Sequence, residues 1–115
     1  MDTGLDIVAI ASGSVKAFEK LYVAYYTKVL TYTSILLQDS AKAEDVTQDV
    51  FLKLWRNRER MKEDGQIDSY IYVTARRTVL DVFREEGYAV KYKEWAKSKQ
   101  TEETFENYCL REISI

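Results

Sequence analysis

Residues 44–60 read EDVTQDVFLKLWRNRER, and their apolar side chains recur with the period of an α-helix. At about 100° per residue, the apolar residues collect on one wide arc of the helix. These are Val46, Val50, Phe51, Leu54 and Trp55. Because an arc of this width buries against neighbouring helices, the stretch predicts a core helix with Phe51 and Trp55 as its anchors.

The other side of the same helix carries a strip of four residues with the spacing i, i+3, i+4, i+7. They are Asp45, Gln48, Asp49 and Leu52. One interpretation is a solvated face with a single exposed leucine, since such leucines are common. The other is an acidic docking strip for a basic helix of a partner protein. The pattern by itself leaves both interpretations open.

The wider motif AEDVTQDVFLKLW resembles the most recognisable helix of region 2 in bacterial sigma factors, in the small extracytoplasmic-function group. The resemblance extends over residues 7–86, most of the chain. In that family this helix docks on the clamp helices of the largest subunit of RNA polymerase. The resemblance therefore implies a polymerase-binding role for Asp45, Gln48, Asp49 and Leu52.

The composition bounds the fold and excludes several kinds of chemistry. The chain has 115 residues, no proline and four glycines, so we expect one domain built from long helices. It has no histidine and one cysteine, Cys109. This composition excludes Ser-His-Asp and Cys-His catalysis and nearly every zinc arrangement. We expect no cofactor and no small-molecule substrate.

The net charge and the N-terminal residues indicate where such a protein works. The formal net charge is −2, so a nucleic-acid site would have to come from local clustering of cations. The start MDTGLDIVAIASGS lacks the basic residues of a signal peptide. No stretch approaches the roughly 18 apolar residues of a membrane span. We therefore expect a cytoplasmic protein without membrane contact.

Periodicity and capping residues predict an all-α fold, a compact bundle of three main helices plus a short N-terminal helix. The short helix covers residues 5–11, with Asp2 or Thr3 as its cap. The main helices cover residues 15–37, a stretch from Asp39 to about residue 60, and residues 70–86. Ser14 and Asp39 are predicted caps of the first two main helices, and Asp68 or Ser69 of the third.

The outward face of the last main helix combines hydroxyl, aromatic and cationic side chains. A helical projection collects Tyr70, Thr74, Arg77, Thr78, Asp81 and Arg84, with Arg76 at the margin. Aromatic rings stack on bases and arginines pair with phosphates, so this combination suits single-stranded DNA. An arginine on an exposed helix face is usually just solvated, so the pattern by itself favours a solvated face.

The motif SYIYVTARRTVLD in this helix resembles the promoter-reading helix of the same sigma factors. The resemblance implies contacts with the non-template strand of the minus-ten promoter element. The residues it implicates are Ser69, Tyr70, Tyr72, Thr74, Arg76, Arg77 and Arg84. The family often has asparagine where this chain has Arg77. In the family, the loop that corresponds to residues 61–68 helps to hold a base flipped out of the duplex.

The resemblance also predicts how the chain divides. Residues 1–87 form the region 2 domain, and residues 88–115 form a helical extension or linker. Complete family members continue into a helix-turn-helix domain, which we expect to be absent from this chain. An anti-sigma factor, which commonly controls this family, is a further expected partner.

The resemblance implies a transcription initiation factor that docks on core RNA polymerase and recognises and melts the minus-ten element. The alternative is a helical protein–protein interaction module without DNA binding. An enzyme would need carboxylates that converge in a pocket, whereas Asp45 and Asp49 lie on a convex helix face. We therefore expect that the chain is not an enzyme by itself.

Overall fold

The computed structural model describes residues 5–61 and 66–85 of the chain. Within these ranges the backbone forms α-helices, one short 3-10 turn and no strand. The helices are α1 (Ile7–Ala11), α2 (Val15–Leu37), α3 (Ser40–Arg56) and α4 (Ile67–Glu85), with the 3-10 turn at Arg58–Arg60. This confirms the predicted all-α class of three main helices and a short leading one. The predicted extension over residues 88–115 lies outside the described residues.

The caps of α2 and α3 are the residues that the sequence predicts. The Ser14 hydroxyl accepts a hydrogen bond from the backbone N–H of Ala17 at 3.1 Å. The Asp39 carboxylate accepts one from the N–H of Lys42, also at 3.1 Å. Gly13 adopts φ +101°, the left-handed conformation that glycine tolerates best, and ends the preceding turn. Capping chemistry therefore sets where α2 and α3 begin.

Helix α1 is shorter than predicted and has a different cap. It covers Ile7–Ala11, and the side chain of Asp6 accepts a hydrogen bond from the N–H of Ala9 at 2.9 Å. Asp2 and Thr3, the predicted caps, lie outside the described residues. Asp6 takes the capping position because its carboxylate stands three residues before an N–H group that would otherwise lack a helical acceptor.

Helix α3 ends at Arg56 instead of continuing to residue 60. Asn57 leaves helical geometry with φ −105° and ψ 24°, and its amide donates to the carbonyl of Lys53 at 3.0 Å. The chain then tightens into the 3-10 turn over Arg58–Arg60. The prediction was wrong at this end because the N–H groups of Arg60 and Met61 donate to carbonyls three residues earlier, at Asn57 and Arg58, and do not continue the α-helical pattern.

Helix α4 begins at Ile67, three residues before the predicted start at Tyr70. The N–H of Tyr70 already donates to the carbonyl of Gln66 at 3.0 Å, which closes the first turn. Asp68 and Ser69 therefore lie inside this turn and do not cap it. The Asp68 carboxylate is engaged in a long-range contact, described below, that local sequence does not indicate.

The core lies where α2, α3 and α4 meet, and each helix contributes one apolar stripe. Its central members are Leu21, Tyr25, Val29, Tyr32, Val46, Val50, Phe51, Leu54, Ile71, Tyr72, Ala75, Val79 and Phe83. Trp55 was predicted as a core anchor but is only half-buried. Its ring packs edge-on against Phe18 at 5.2 Å, with the Arg58 guanidinium 4.3 Å from its centroid. Trp55 therefore closes the rim of the core.

A buried polar contact links α2 and α3 within this core. The hydroxyls of Thr33 and Thr47 lie 2.9 Å apart, and both side chains are fully buried. The single proton of the Thr33 hydroxyl is shared between the carbonyls of Leu30 at 3.1 Å and Ala43 at 3.3 Å, while the Thr47 hydroxyl can donate to Thr33. The hydroxyls are thus satisfied without water, as buried polar groups require. This contact fixes the register of α2 against the first half of α3.

We expect Phe51→Ala to lower the free energy of unfolding by about 3–5 kcal/mol, because it removes a ring that is buried between α2 and α3. Urea denaturation followed by circular dichroism measures the change. The control is Val23→Ala, at a residue that is 79% exposed, which should change stability by less than about 0.5 kcal/mol. Equal effects of the two substitutions would contradict this assignment of the core.

Candidate functional site

The four residues of the predicted docking strip lie on the outer face of α3. Asp45, Gln48 and Leu52 are exposed, and Asp49 is half-buried. Leu52 keeps 46% of its surface accessible, although it is a large apolar residue. The periodicity of α3 requires this arrangement, because Val50 and Leu54 point into the core on the opposite side.

An apolar groove between α2 and α3 borders this strip, and the sequence did not predict it. The groove has a volume of about 620 Å³. Its lining comprises Val15, Phe18, Tyr22, Gln48, Asp49, Phe51, Leu52 and Trp55. Three of the four strip residues thus form one wall, and aromatic rings form much of the rest.

Contacts between the rings hold the shape of the groove. Tyr22 packs against Phe51 with ring centroids 4.7 Å apart, and against Tyr26 at 5.1 Å. The amide of Gln48 donates to the Tyr22 hydroxyl at 3.2 Å. Gln48 therefore reaches from α3 to Tyr22 on α2 at the edge of the groove, while it remains exposed. The strip and the groove together form a single surface that is apolar in the middle and acidic at the edge.

The charge of Asp49 is partly compensated from within its own helix. The Lys53 ammonium lies 3.5 Å from the Asp49 carboxylate, one turn further along α3. The same ammonium donates to the Thr78 hydroxyl at 3.1 Å and lies 3.9 Å from Asp81. Lys53 therefore connects the edge of the docking strip with α4.

On α4, the predicted DNA-binding residues are exposed, half-buried or, in the case of Tyr72, buried. Ser69, Arg77 and Arg84 are exposed, while Tyr70, Thr74 and Arg76 are half-buried. Ser69, Tyr70 and Arg77 line a shallow groove of about 370 Å³ beside the 3-10 turn. Arg60, Met61, Gln66, Ile67 and Val73 complete its lining. Hydroxyl, aromatic and cationic groups thus meet at one concave surface.

One residue of the projected face, Thr78, is buried, which corrects its predicted position, and so is Tyr72, which the resemblance implicated in DNA contact. Thr78 is 2% exposed and donates to the carbonyl of Thr74 at 2.7 Å. Tyr72 is 5% exposed, and its ring packs edge-on against Tyr32 with centroids 5.8 Å apart. Because α4 packs against both α2 and α3, its exposed face is narrower than a projection suggests. Tyr72 is not among the residues that line the groove.

Burial also decides the chemistry of the phenol beneath α4. Desolvation raises the pKa of Tyr32 well above its ordinary value, and the neighbouring Tyr72 hydroxyl raises it further. Tyr32 therefore remains neutral over the whole working pH range. Its role is packing, and it supplies no titrating group to either surface.

The start of α4 is tied to the core by one side-chain contact. The Tyr25 hydroxyl, on α2, donates a short hydrogen bond to the Asp68 carboxylate in the first turn of α4. Lys28 lies 4.9 Å from the centroid of the Tyr25 ring. This contact positions Ser69 and Tyr70, the neighbours of Asp68 that line the groove. The centre of the predicted base-holding loop, residues 62–65, lies outside the described residues.

The described part of the chain contains neither a cluster of metal-ligating side chains nor a membrane-spanning helix. Residues 5–61 and 66–85 contain no group of three or more His, Cys, Asp or Glu side chains arranged to hold a metal ion. No helix within these ranges combines the length and the apolar character that a membrane span requires.

Comparison with known proteins assigns the chain to a family. Residues 21–88, more than half of the chain, match the family described as Sigma-70 region 2. The chain belongs to this family, as the motifs in α3 and α4 predicted. Every residue of the docking strip and of the α4 face lies inside the matched range.

A relative among curated proteins agrees with this assignment. The chain is 30% identical over 66 residues to the RNA polymerase sigma factor SigZ of Bacillus subtilis (strain 168). The aligned part covers 57% of this chain and 38% of the relative, so the chain spans well under two thirds of that protein. No solved structure matches the chain significantly.

We expect Tyr25→Phe to loosen the first turn of α4, because it removes the hydrogen bond that Asp68 accepts. A bond to a charged group contributes about 1.5–3 kcal/mol, so stability should fall by an amount near the lower end of that range for this exposed carboxylate. Hydrogen exchange monitored by NMR should show reduced protection in the first turn of α4 and little change in α3. Unaltered exchange at Tyr70 would contradict the positioning role of Tyr25.

Proposed function

We propose that this chain is the polymerase-docking and promoter-binding part of a transcription initiation factor of the extracytoplasmic-function group. The observation that carries the proposal is that a sigma-70 region 2 domain presents two exposed surfaces of different chemistry on adjacent helices. One is the acidic strip of α3 with its apolar groove. The other is the aromatic and cationic face of α4.

The first surface suits a basic amphipathic helix. Asp45 and Asp49 offer carboxylates at the edge, and Leu52 exposes apolar surface beside a groove lined by Phe18 and Trp55. A partner helix with cations flanking an apolar side chain would match both features. In the sigma factor family, the clamp helices of the largest polymerase subunit occupy this position. We therefore assign core RNA polymerase as the partner of this surface.

The second surface suits a single strand of DNA. Tyr70 places a ring at the shallow groove, and Arg77 places a guanidinium at the same opening. Arg84 follows two turns later on α4, about 10 Å further along the helix axis. Stacking and phosphate pairing at these points would hold the non-template strand of the minus-ten element. Extrusion of a base from the duplex would then promote melting.

The remaining assignments follow from the same proposal. Residues 1–87 would form the region 2 domain, and residues 88–115 a helical extension or linker. The factor would work in the cytoplasm, where its polymerase is, and an anti-sigma factor would control it. The polymerase would supply the catalysis, so the chain itself would not act as an enzyme.

Replacing Gln48 by Ala together with Asp49 by Lys should weaken binding of core polymerase by about 2–5 kcal/mol. The double change removes a donor that spans the groove and reverses the charge at the edge of the strip. Titration of labelled protein with core polymerase measures the affinity, and circular dichroism checks that the fold is retained.

The control for this docking experiment is Glu59→Lys, which reverses a charge in the exposed 3-10 turn outside the strip. It should leave the affinity nearly unchanged. If the double variant binds polymerase as tightly as the parent, the strip is not the dock.

For the polymerase-bound protein, we expect Arg84→Ala to lower the affinity for minus-ten oligonucleotides evenly across sequences. Arg77→Asn should change which base is preferred, because Arg77 lies at the groove beside Tyr70 and Ser69. Affinity should also fall as salt rises, with a slope of about 0.7 per neutralised phosphate. Fluorescence anisotropy with single-stranded oligonucleotides, each position varied through all four bases, measures these effects.

Arg56→Ala serves as the control for loss of an exposed arginine, because Arg56 lies at the end of α3 and not on α4. An unchanged base preference in Arg77→Asn would show that Arg77 does not read sequence. If Tyr70, Arg77 and Arg84 can all be replaced by Ala without effect, while docking persists, the alternative of a protein–protein module without DNA binding is favoured.

A further inference from the structure

A chain of four charged side chains connects the docking strip on α3 with the proposed strand-binding face on α4. The Lys53 ammonium lies 3.5 Å from Asp49 and 3.9 Å from Oδ2 of Asp81. The other oxygen of Asp81, Oδ1, lies 3.7 Å from a guanidinium nitrogen of Arg84. Asp49 belongs to the first surface and Arg84 to the second, so these ion pairs join the two.

Lys53 is held at the junction by a further contact. Its ammonium donates to the Thr78 hydroxyl at 3.1 Å, and Thr78 is buried between the helices. The Lys53 side chain is 33% exposed, compared with 46% for Asp49 and 54% for Asp81. One ammonium in a fixed position is thus shared between two carboxylates that belong to different surfaces.

Asp81 places a negative charge on the α4 face, whose proposed strand-binding side chains are hydroxyl, aromatic or cationic. A carboxylate on a surface that binds phosphates repels them, and it also occupies the guanidinium that would pair with them. Arg84 therefore has to exchange an aspartate partner for a phosphate when a strand binds. Lys53 moderates this competition, because its positive charge reduces the pull of Asp81 on Arg84.

We infer that Asp81 limits the affinity of the α4 face for the strand, and that Lys53 is a positioning residue which relaxes this limit when the docking strip is occupied. The inference rests on the function proposed above. If a basic side chain of the partner pairs with Asp49, the Lys53 ammonium no longer has to be shared. It would then pair with Asp81 as its only carboxylate. Asp81 would then hold Arg84 less tightly, and Arg84 would turn to the phosphate.

These ion pairs predict a coupling between polymerase docking and strand binding, with a defined sign and size. Docking should strengthen strand binding, and by linkage the strand should strengthen docking by the same factor. Exposed ion pairs contribute little individually, so the expected factor is about two- to fivefold. It should shrink as added salt screens the charges.

The test compares variants of the 115-residue chain in their binding to core polymerase and to a fluorescent single-stranded minus-ten oligonucleotide. Asp81→Asn should raise the affinity of the polymerase-bound protein for the oligonucleotide by about two- to fivefold. The matched control is Glu85→Gln, which removes an equal charge from an exposed residue of the same helix. When Arg84 is also replaced by Ala, Asp81→Asn should raise the affinity for the oligonucleotide no more than Glu85→Gln does.

Lys53→Met tests the coupling, because it keeps the length of the side chain and removes the charge. Polymerase affinity is measured with and without saturating oligonucleotide, so that weak binding of DNA to the free protein does not limit the experiment. The ratio of the two affinities should fall by about two- to fivefold in Lys53→Met.

The outcomes separate this inference from the proposed function. If the parent protein on polymerase does not bind the oligonucleotide, the proposed function fails, and the inference fails with it. If the parent binds the oligonucleotide but Asp81→Asn and Glu85→Gln change its affinity equally, Asp81 does not restrain Arg84. If the ratio of polymerase affinities with and without oligonucleotide is the same in Lys53→Met as in the parent, Lys53 does not link the surfaces. Either of the last two results overturns the inference and leaves the proposed function intact.

Discussion

The burial of the apolar arc of α3 between α2 and α4 is the interaction on which the rest of the structure depends. Val50 and Leu54 are completely buried, and Phe51 is nearly so. This burial fixes the rotation of α3 about its own axis, and the Thr33–Thr47 contact fixes its register against α2. Once both are set, the docking strip has to face outward and the aromatic residues of α2 have to stand beside it.

The two surfaces differ in local charge, which the whole-molecule charge conceals. A net charge of −2 indicates neither a nucleic-acid partner nor a basic protein partner. The fold nevertheless places carboxylates on the outer face of α3 and guanidinium groups along α4, so each surface has a local field of its own. Lys53 and Asp81 lie where the two fields meet.

Helical projection was accurate for α3 and less so for α4, for a physical reason. The strip of α3 contains Gln48 and Leu52, which both remain exposed as predicted. On α4, Thr78 was projected outward, yet it is buried. A projection assumes one buried side, whereas α4 packs against both α2 and α3. Its exposed arc is narrowed from both edges.

The sequence by itself determined the helical class, the exact span of α2 at Val15–Leu37, and the caps Ser14 and Asp39. These features depend on periodicity and on hydrogen bonds between residues three or four apart. Only the tertiary structure decided the aromatic groove, the Tyr25–Asp68 contact that starts α4 early, and the position of Lys53 between two carboxylates. Those features join residues more than 20 positions apart, and packing alone brings them together.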